Sequence, residues 1–226
     1  MTSMTGAATQ LASNCGAKTR RFARGSDTTV LTEIYQEGID IVALQRTLSD
    51  NLRTSIGQFT LTNPQFNRLL TVSSESALCD ISNVLGASEY QQLAEDMAEL
   101  VAMYCCLFDL EHVGLRLTVL DRAMCPKFHV DGVACRLVCT YQGSATQWLS
   151  HELVDRSKLG RGSLGLADAE SGLYRYDSDI SSLQCGDIAL LKGESWPNNK
   201  GFGLVHRSPS LIGDERRLLL SLDFTD

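Results

Sequence analysis

The hydrophobic positions of this chain change their spacing near residue 113. Before that point, apolar side chains recur every three or four residues, which is the period of one face of an α-helix. The clearest series is the stripe formed by Leu93, Met97, Leu100, Val101, Tyr104 and Phe108. Because Ser88 and Gln91 precede it with capping-box spacing, the pattern predicts one long helix that packs this stripe against a sheet. Shorter elements are predicted as helices over 31–36, 48–56 and 76–85, and as extended segments over 39–42 and 66–72.

After Gly114 the apolar positions alternate with polar ones or form short continuous runs, as they do in β-strands. Strands are predicted over 115–120, 128–131, 136–141, 145–149, 188–192, 203–206 and 216–224. Gly and Pro lie between these runs, and many short strands with turns indicate a sandwich or barrel rather than alternating strand–helix units. The polar, Gly-rich section 150–182 is predicted to be irregular, either a covering loop or a surface excursion.

These patterns predict an α+β protein with one folded domain over 29–226. Residues 29–112 would form a mainly helical support, and residues 113–226 would form the β-strand core. No stretch rich in Pro, Gly or Ser divides this part of the chain cleanly into two domains. Residues 1–28 are rich in Thr, Ser, Ala, Gly and Arg without apolar periodicity, so we expect them to form a flexible tail.

Composition and charge narrow the class of protein. Of 226 residues, 43% are hydrophobic and 21% are charged, as in compact globular proteins. The formal net charge of −7 argues against nucleic acid as a partner, because phosphate recognition needs clustered Lys and Arg. The chain has no run of about eighteen apolar residues for a membrane span and no hydrophobic signal core. We therefore expect a cytoplasmic protein without a membrane partner, and the sequence predicts no particular oligomeric state.

The eight cysteines are interpreted as reduced thiols. Cys105, Cys106, Cys135 and Cys139 lie within apolar runs, where a free cysteine is usually buried. No C-x-x-C pair occurs, and the C-x-x-x-C spacing has no second pair to match it. This arrangement disfavours a zinc site made of cysteines.

A candidate metal site comes from three side chains that are separated along the chain. His129 and Asp131 lie two residues apart in a predicted strand, so both side chains can point to the same face. His206 ends another apolar strand and supplies a second imidazole. Two imidazoles and one carboxylate on one face of an octahedron leave coordination positions open, which is typical of non-haem Fe(II) oxygenases. The sequence therefore predicts that these three residues are catalytic metal ligands.

Two arginines precede the last apolar strand. Arg216 and Arg217 stand before the run Leu218–Leu222, and the side chain of one of them could enter the barrel. A guanidinium inside a barrel needs an anionic partner, and it binds a carboxylate through two parallel hydrogen bonds. An oxoacid cosubstrate whose other end chelates the metal would supply that carboxylate.

The ordered set of His129, Asp131, His206 and a late arginine resembles the Fe(II)/2-oxoglutarate-dependent dioxygenases over roughly 115–226, about half the chain. The strings FHVD at 128–131 and CTY at 139–141 are particularly similar to the prolyl-hydroxylase branch. A second resemblance covers more of the chain and is to a bacterial family of proteins without assigned function. Its strings are RLVCTYQG at 136–143, WL at 148–149 and HRSP at 206–209.

The dioxygenase resemblance implies a double-stranded β-helix, the cupin-like jelly roll, with helices from the N-terminal half packed on it. It implies that His129, Asp131 and His206 bind Fe(II) and that 2-oxoglutarate is the cosubstrate. The implied reaction is hydroxylation or demethylation of an unknown prime substrate, either a small molecule or a protein side chain. The protein would fix the geometry of the site, exclude water and orient that substrate.

The same resemblance implies which residues bind 2-oxoglutarate. The late arginine would hold the distal carboxylate. Arg217 is preferred over Arg216, because Ser221 shares its strand face and family members often have a small residue there. Tyr141 is similar in position to a tyrosine that binds this carboxylate in some hydroxylases, although a phenol at a strand end with its hydroxyl in water explains it equally well.

Two other functions stay open at the level of sequence. One is a non-catalytic metal-binding or metal-sensing cupin-like protein that holds zinc, nickel or iron through the same side chains. The other is a metal-free β-sandwich in which the histidines are ordinary core residues. The arginine pocket discriminates between the first of these and an oxygenase, because only the oxygenase needs a cation near the metal for a cosubstrate.

Five further residues have two interpretations each. His112 follows the long helix and is interpreted as a cap, and His151 is an exposed side chain or an alternative ligand. Trp148 and Trp196 either pack in the core or contact substrate. Arg136 points either inward or into solvent.

Overall fold

The structure is a computed structural model, and it describes residues 20–225. A 3-10 helix over Thr28–Tyr35 lies between the first two strands. In chain order, the strands and α-helices are β1 (Arg21–Gly25), β2 (Ile39–Leu44), α1 (Asp50–Thr62), β3 (Asn67–Val72), α2 (Ala77–Leu85), α3 (Gln91–Phe108), β4 (Val113–Leu120), β5 (Cys135–Gln142), β6 (Gln147–Leu149), α4 (Asp168–Ser171), β7 (Ile180–Ser182), β8 (Ile188–Lys192), β9 (Val205–Arg207) and β10 (Arg217–Phe224).

The described strands form two sheets. The larger sheet has seven strands in the order β1-β2-β8-β5-β10-β4-β3, and the smaller sheet has three in the order β7-β6-β9. β1 and β2 pair in parallel, whereas the other neighbouring strands pair antiparallel. The result is a mixed α/β fold, with helices on one face of the large sheet and the small sheet on the other.

Side chains alternate across the large sheet, so each face packs against a different layer. In β10, Leu218 and Leu220 pack with the helices, whereas Leu219 faces the small sheet. Trp148 of β6 lies in the second core, between the two sheets. Because both faces of the central strands are covered, their sequences are continuous apolar runs rather than strict alternations.

The long helix α3 confirms the predicted stripe. The residues of this stripe are buried among the helices and the large sheet, except that Phe108 is half-buried. The hydroxyl of Tyr104 donates a hydrogen bond of 2.7 Å to the Cys135 carbonyl, which connects α3 to β5. The predicted capping box is wrong, because Ser88 begins a separate 3-10 turn and no side chain caps the first turn of α3.

The flexible tail predicted for residues 1–28 falls largely on residues 1–19, which lie outside the described residues. Its last part is wrong, because Arg21–Gly25 form β1 and pair with β2. Side-chain periodicity could not reveal this strand. It lies at the edge of the sheet, is held by backbone hydrogen bonds and leaves most of its side chains partly exposed.

The cysteines among residues 20–225 confirm the prediction of free thiols, but the expectation that those in apolar runs are buried holds only in part. Cys105, Cys135 and Cys139 are buried and unpaired, but Cys106 is exposed. Consecutive residues of a helix lie about 100° apart around its axis, and Cys106 lies on the solvent side of the buried stripe that ends with Tyr104 and Cys105. Among residues 20–225, no helix is long and apolar enough to cross a membrane.

The irregular section 150–182 packs on the outer face of the small sheet. It contains α4, β7 and several 3-10 turns. Leu173 and Tyr174 of this section form a third cluster with Phe128, Leu149 and Val205. Leu149 and Val205 are next in sequence to Trp148 and Leu204, which face the large sheet, so the section completes the cover of both faces of the small sheet.

Candidate metal centre

His129 and His206 face each other across a single antiparallel bridge. The strand predicted over 128–131 is reduced to this one pair. The N–H of each histidine donates to the carbonyl oxygen of the other at 3.0 Å. Residues that exchange both backbone bonds lie directly opposite each other, with their side chains on the same face. The imidazole centroids are therefore only 4.6 Å apart.

Asp131 completes a cluster with the two histidines. It lies two residues beyond His129 on extended backbone, so it shares the same face. The Nε2 atom of His129 is 3.6 Å from Oδ1 of Asp131, and Nε2 of His206 is 3.4 Å from Oδ2. The three candidate ligand atoms all lie within 4.8 Å of one another. Since zinc bonds to such atoms are about 2.0–2.2 Å long, one ion can bind all three.

Both histidines have their second ring nitrogen next to a backbone carbonyl. Nδ1 of His129 lies 3.0 Å from the oxygen of Lys127, and Nδ1 of His206 lies 3.1 Å from the oxygen of Leu204. An Nδ1–H that donates to a carbonyl leaves the lone pair on Nε2, the atom that faces Asp131. The backbone thus orients both imidazoles as metal ligands.

The turn after β8 holds the Asp131 segment in place. The N–H of Glu194 donates to the Asp131 carbonyl at 2.9 Å, and the N–H of Gly193 donates to the Ala134 carbonyl at 2.9 Å. A Cβ atom on Gly193 would lie 2.0 Å from the Val133 carbonyl oxygen, so only glycine permits this approach. The large sheet therefore determines where the carboxylate ligand is placed.

Arg136 connects the cluster to the large sheet. Its Nη1 donates to Oδ2 of Asp131 at 2.7 Å. Its Nε and Nη2 donate to the two carboxylate oxygens of Asp223, at 2.8 and 2.9 Å. The sequence left open whether Arg136 points inward or into solvent. In the structure it points inward, and its guanidinium lies between the two sheets.

The charges in the cluster keep Asp131 ionised. Burial alone would raise the pKa of this carboxyl, but the adjacent imidazoles of His129 and His206 and the charge of Arg136 outweigh it and hold the pKa well below its usual range. The Asp131 carboxylate in turn raises the pKa of His129, against the effect of partial burial. An ionised carboxylate is the form that binds a cation.

Arg217 is a buried guanidinium that lacks a carboxylate partner within the described part of the chain. Its side chain is only 1% exposed. Nη1 donates to Ser208 at 2.7 Å, and Nη2 donates to Thr140 at 3.1 Å and to Thr146 at 2.9 Å. Nε is buried without a partner, and burial lowers the pKa of Arg217 to about 10. A buried cation that only hydroxyl groups solvate indicates a binding site for an anion.

Arg216 and Tyr141 lie away from this cluster, contrary to the prediction that they contact a cosubstrate. Arg216 extends along the surface, where its Nη1 is 3.4 Å from the Pro64 carbonyl. The Tyr141 side chain lies in the helix-facing core, and its hydroxyl donates to Asp96 at 2.6 Å. Arg216 is next in sequence to Arg217, and Tyr141 is next to Thr140, which binds Arg217. Neighbouring residues of a strand point to opposite faces, so both side chains point away from the Arg217 guanidinium.

The histidine pair and Arg217 line one cavity of about 500 Å³. This volume lies within the range of about 300–1,000 Å³ that is usual for small-molecule sites. Both sheets contribute to its walls, with Val138 and Ser221 on the large sheet and Ser208 after β9. No residue of the section 150–182 lines the cavity, so that section covers the small sheet and not the cavity.

Asp168 of α4 fixes both ligand-bearing segments, although sequence reasoning missed it. Its Oδ2 accepts the N–H of Phe128 at 2.8 Å and lies 3.5 Å from Nη1 of Arg207. The guanidinium of Arg207 lies 4.3 Å from the centroid of the Phe128 ring. Phe128 precedes His129, and Arg207 follows His206. No local pattern marks this role, because it depends on contacts between residues that are far apart in sequence.

We expect Asp168→Ala to weaken binding of Ni(II) by about 10–100-fold, the usual effect of losing a group that orients metal ligands. The substitution removes the acceptor of the Phe128 N–H and the carboxylate beside Arg207. Isothermal titration calorimetry measures the affinity. The control is Asp177→Ala, an exposed acid of the same section, which should bind nickel like the parent protein. Parent-like affinity in Asp168→Ala would show that the contacts of Asp168 do not orient the ligands.

The remaining residues with two interpretations lie outside the cluster. His112 is exposed beyond α3, and Asp109 provides the C-cap of that helix, so the predicted capping role of His112 is wrong. His151 packs near the Phe202 ring, with centroids 5.2 Å apart, and away from the metal cluster. Trp148 and Trp196 both pack against hydrophobic clusters and not in the cavity.

The solved structures that are similar to this chain include the following three. A rice dioxygenase for auxin oxidation aligns with a TM-score of 0.51 and 10% identity, covering 90% of this chain and 82% of that chain. A putative oxygenase from Shewanella oneidensis has a TM-score of 0.49 and 9% identity, covering 91% and 89%. A prolyl-4-hydroxylase from Pseudomonas putida has a TM-score of 0.45 and 11% identity, covering 87% and 92%. The first of these likenesses shows a shared fold.

No curated protein sequence matches the chain. A family described as "Protein of unknown function (DUF1826)" matches residues 25–223. The matched region includes both sheets except for most of β1, and it includes α1 to α3, the histidine pair, Asp131 and Arg217. Because the match spans most of the sequence, the chain belongs to the DUF1826 family.

Proposed function

We propose that this protein is a non-haem Fe(II)/2-oxoglutarate-dependent oxygenase, whose residues 113–226 form a double-stranded β-helix core. One observation carries the proposal. The two imidazoles of the His129–Asp131–His206 cluster line the same cavity as a buried guanidinium that has no carboxylate partner among residues 20–225. This combination matches a metal with open coordination positions next to a binding site for an organic acid.

The residues present fit both groups. His129, His206 and Asp131 offer two neutral nitrogen donors and one ionised oxygen donor, a set that suits first-row metals including iron. Arg217 offers a guanidinium in a pocket of hydroxyl groups, which suits the distal carboxylate of 2-oxoglutarate. When bound, the metal would couple the oxidative decarboxylation of 2-oxoglutarate to the oxidation of a bond in the prime substrate.

The side chains of the protein would orient and shield the reactants. The backbone contacts of Lys127 and Leu204 keep the two Nε2 atoms directed at one point. Arg217 would set the position of 2-oxoglutarate relative to that point, and Thr140, Thr146 and Ser208 keep its guanidinium in place. The walls of the cavity would exclude bulk water, which strengthens the contact between the guanidinium and a carboxylate.

The position of Arg217 favours an oxygenase over a non-catalytic metal-binding protein. A protein that only holds a metal has no need for an unpaired cation in the same cavity, and a buried charge without a partner is costly. The fold shared with the rice protein, which is described as a dioxygenase, is consistent with the proposal.

The test is turnover of 2-oxoglutarate by the purified, iron-loaded protein. With Fe(II), ascorbate and oxygen, we expect slow formation of succinate even without the prime substrate, and no formation above background by His206→Ala. Mass spectrometry measures the succinate, and calorimetry measures 2-oxoglutarate binding under anaerobic conditions. An iron-loaded parent protein that neither binds nor decarboxylates 2-oxoglutarate would contradict the proposal.

A further inference from the structure

The cavity contains more positive charge than its acidic residues neutralise. Its walls include four arginines and one carboxylate, and these residues are Arg116, Arg136, Arg207, Arg217 and Asp223. Two of these arginines have carboxylate partners. Arg136 binds both Asp131 and Asp223, and Arg207 lies 3.5 Å from Asp168. Within the part of the chain that the structure describes, two arginines are therefore left without a carboxylate, and the proposed cosubstrate accounts for only one of them.

The second unpaired arginine is Arg116 on β4. Within the described part of the chain, its guanidinium makes no ion pair and no hydrogen bond to another side chain. It is half-buried in the wall of the cavity, so it is partly shielded from the solvent that would screen an exposed charge. The carboxylate nearest in register, that of Asp223, has both oxygens bonded to Arg136. Arg116 is thus available to an external anion.

The register of the sheet places Arg116 beside the cosubstrate pocket. Arg116 lies directly opposite Ser221, which is on the same strand and the same face as Arg217. Adjacent strands are about 4.8 Å apart, so Arg116 lies one strand nearer to the edge of the sheet than the residues that would bind 2-oxoglutarate. A molecule held there would lie in the cavity between the edge strand β3 and the metal cluster.

The wall around Arg116 is apolar. Leu69 of the edge strand β3 lies directly opposite Arg116 on its other side and is 66% exposed. Leu70 and Met124 also line the cavity, and Met124 is 39% exposed. Large apolar side chains that are exposed next to a lone cation match a ligand with one charged end and an apolar body.

We propose that the prime substrate is a small organic acid, whose carboxylate binds Arg116 and whose apolar body packs against Leu69 and Met124. The inference rests on the proposed function, since it assigns the rest of the cavity to the metal and 2-oxoglutarate. A single guanidinium matches the one charge of a carboxylate. A phosphate monoester carries about −1.5 to −2 charges and would need a second cation.

The test uses the protein loaded with Zn(II), which has no redox chemistry, and saturated with 2-oxoglutarate. The probes are butyrate, hexanoate and 3-phenylpropionate, each paired with its own neutral amide, and phenyl phosphate. Calorimetry gives the affinities, and the ¹⁵N resonance of the Arg116 Nε, assigned by its loss in Arg116→Gln, reports the place of binding. We expect at least one acid to bind about tenfold or more tightly than its amide and to shift that resonance.

Arg116→Gln should abolish the preference for the acid while leaving the affinity for 2-oxoglutarate unchanged. The matched control is Arg122→Gln, an exposed arginine just after β4 that does not line the cavity, and it should behave like the parent protein. Equal binding of acids and amides, a preference that survives Arg116→Gln, or tighter binding of phenyl phosphate would each overturn the inference. A loss of 2-oxoglutarate affinity in Arg116→Gln would also overturn it, because Arg116 would then hold the cosubstrate.

Failure of the proposed function gives a different result. In that case 2-oxoglutarate does not bind the zinc-loaded parent protein at all. The comparison of acids with amides on that protein then decides by itself whether Arg116 binds a carboxylate.

Discussion

Replacing His206 by alanine is expected to weaken the binding of Ni(II) by at least about 100-fold, since even groups that only orient a metal ligand are worth about 10–100-fold. His206 supplies one of three candidate ligands, and its ring is placed by the backbone bridge to His129 and by the Leu204 carbonyl. Without it, one imidazole and one carboxylate remain. Calorimetry on the purified proteins measures the affinity.

A thermal measurement gives an independent readout of the same change. Nickel at 100 times its dissociation constant should stabilise the parent protein by about 2.7 kcal/mol and raise its Tm, whereas the same nickel concentration should leave the Tm of His206→Ala almost unchanged. The control is His112→Ala, an exposed histidine outside the cluster, which should keep the nickel-dependent shift. Nickel binding by His206→Ala with the affinity of the parent would refute the assignment of the metal centre.

The second large effect is expected for Arg217→Met. We expect this change to weaken 2-oxoglutarate binding to the metal-loaded protein by about 100-fold or more, because two charge-assisted hydrogen bonds are lost. Without ligand, the free energy of unfolding should fall by less than about 1 kcal/mol or should rise, since an apolar side chain of similar length replaces a buried and unpaired cation. Calorimetry and urea unfolding measure the two quantities.

The adjacent residue provides the matched control. Arg216→Met removes the same charge one position earlier in the chain, but its guanidinium lies at the surface near Pro64. It should leave the affinity for 2-oxoglutarate within about twofold of the parent value, because screened surface charges contribute little. If the two variants lose affinity equally, a general effect of charge explains the result, and the assigned role of Arg217 is wrong.

The sequence indicated the candidate ligands because their arrangement depends on local geometry. His129 and Asp131 share a face through the period of two along extended backbone, which can be counted along the sequence. His206 was identified by its place at the end of an apolar run. What the sequence could not supply was the bridge that sets the two imidazoles side by side, since the pairing of distant segments is a property of the folded chain.

The choice between Arg216 and Arg217 shows the same limit. Strand parity with Ser221 favoured Arg217, and the structure places Arg217 in the cavity wall with Ser221. Tyr141 neighbours Thr140, which binds Arg217, and therefore points to the opposite face, into the helix-facing core. The sequence could not decide this, because it left open which face of the strand over 136–141 turns toward the metal.

The residues that support the site could not be predicted from the sequence. Arg136 reaches Asp131 and Asp223 from another strand, and Asp168 reaches Phe128 from an irregular section that has no periodicity. An isolated Arg or Asp in a sequence is most often a solvated surface residue. Only the long-range contacts distinguish these residues from the many other charged residues of the chain.

The sequence by itself determined the helical stripe of α3, most of the strands and the three candidate metal ligands, because these features follow from periods of 3.6 and 2 that act over a few residues. The tertiary structure alone decided how the strands divide between two sheets and which two arginines of the cavity, Arg217 and Arg116, have no carboxylate partner among residues 20–225. Those properties depend on which distant segments pack together. Burial and charge pairing are set by that packing, and no local pattern records it.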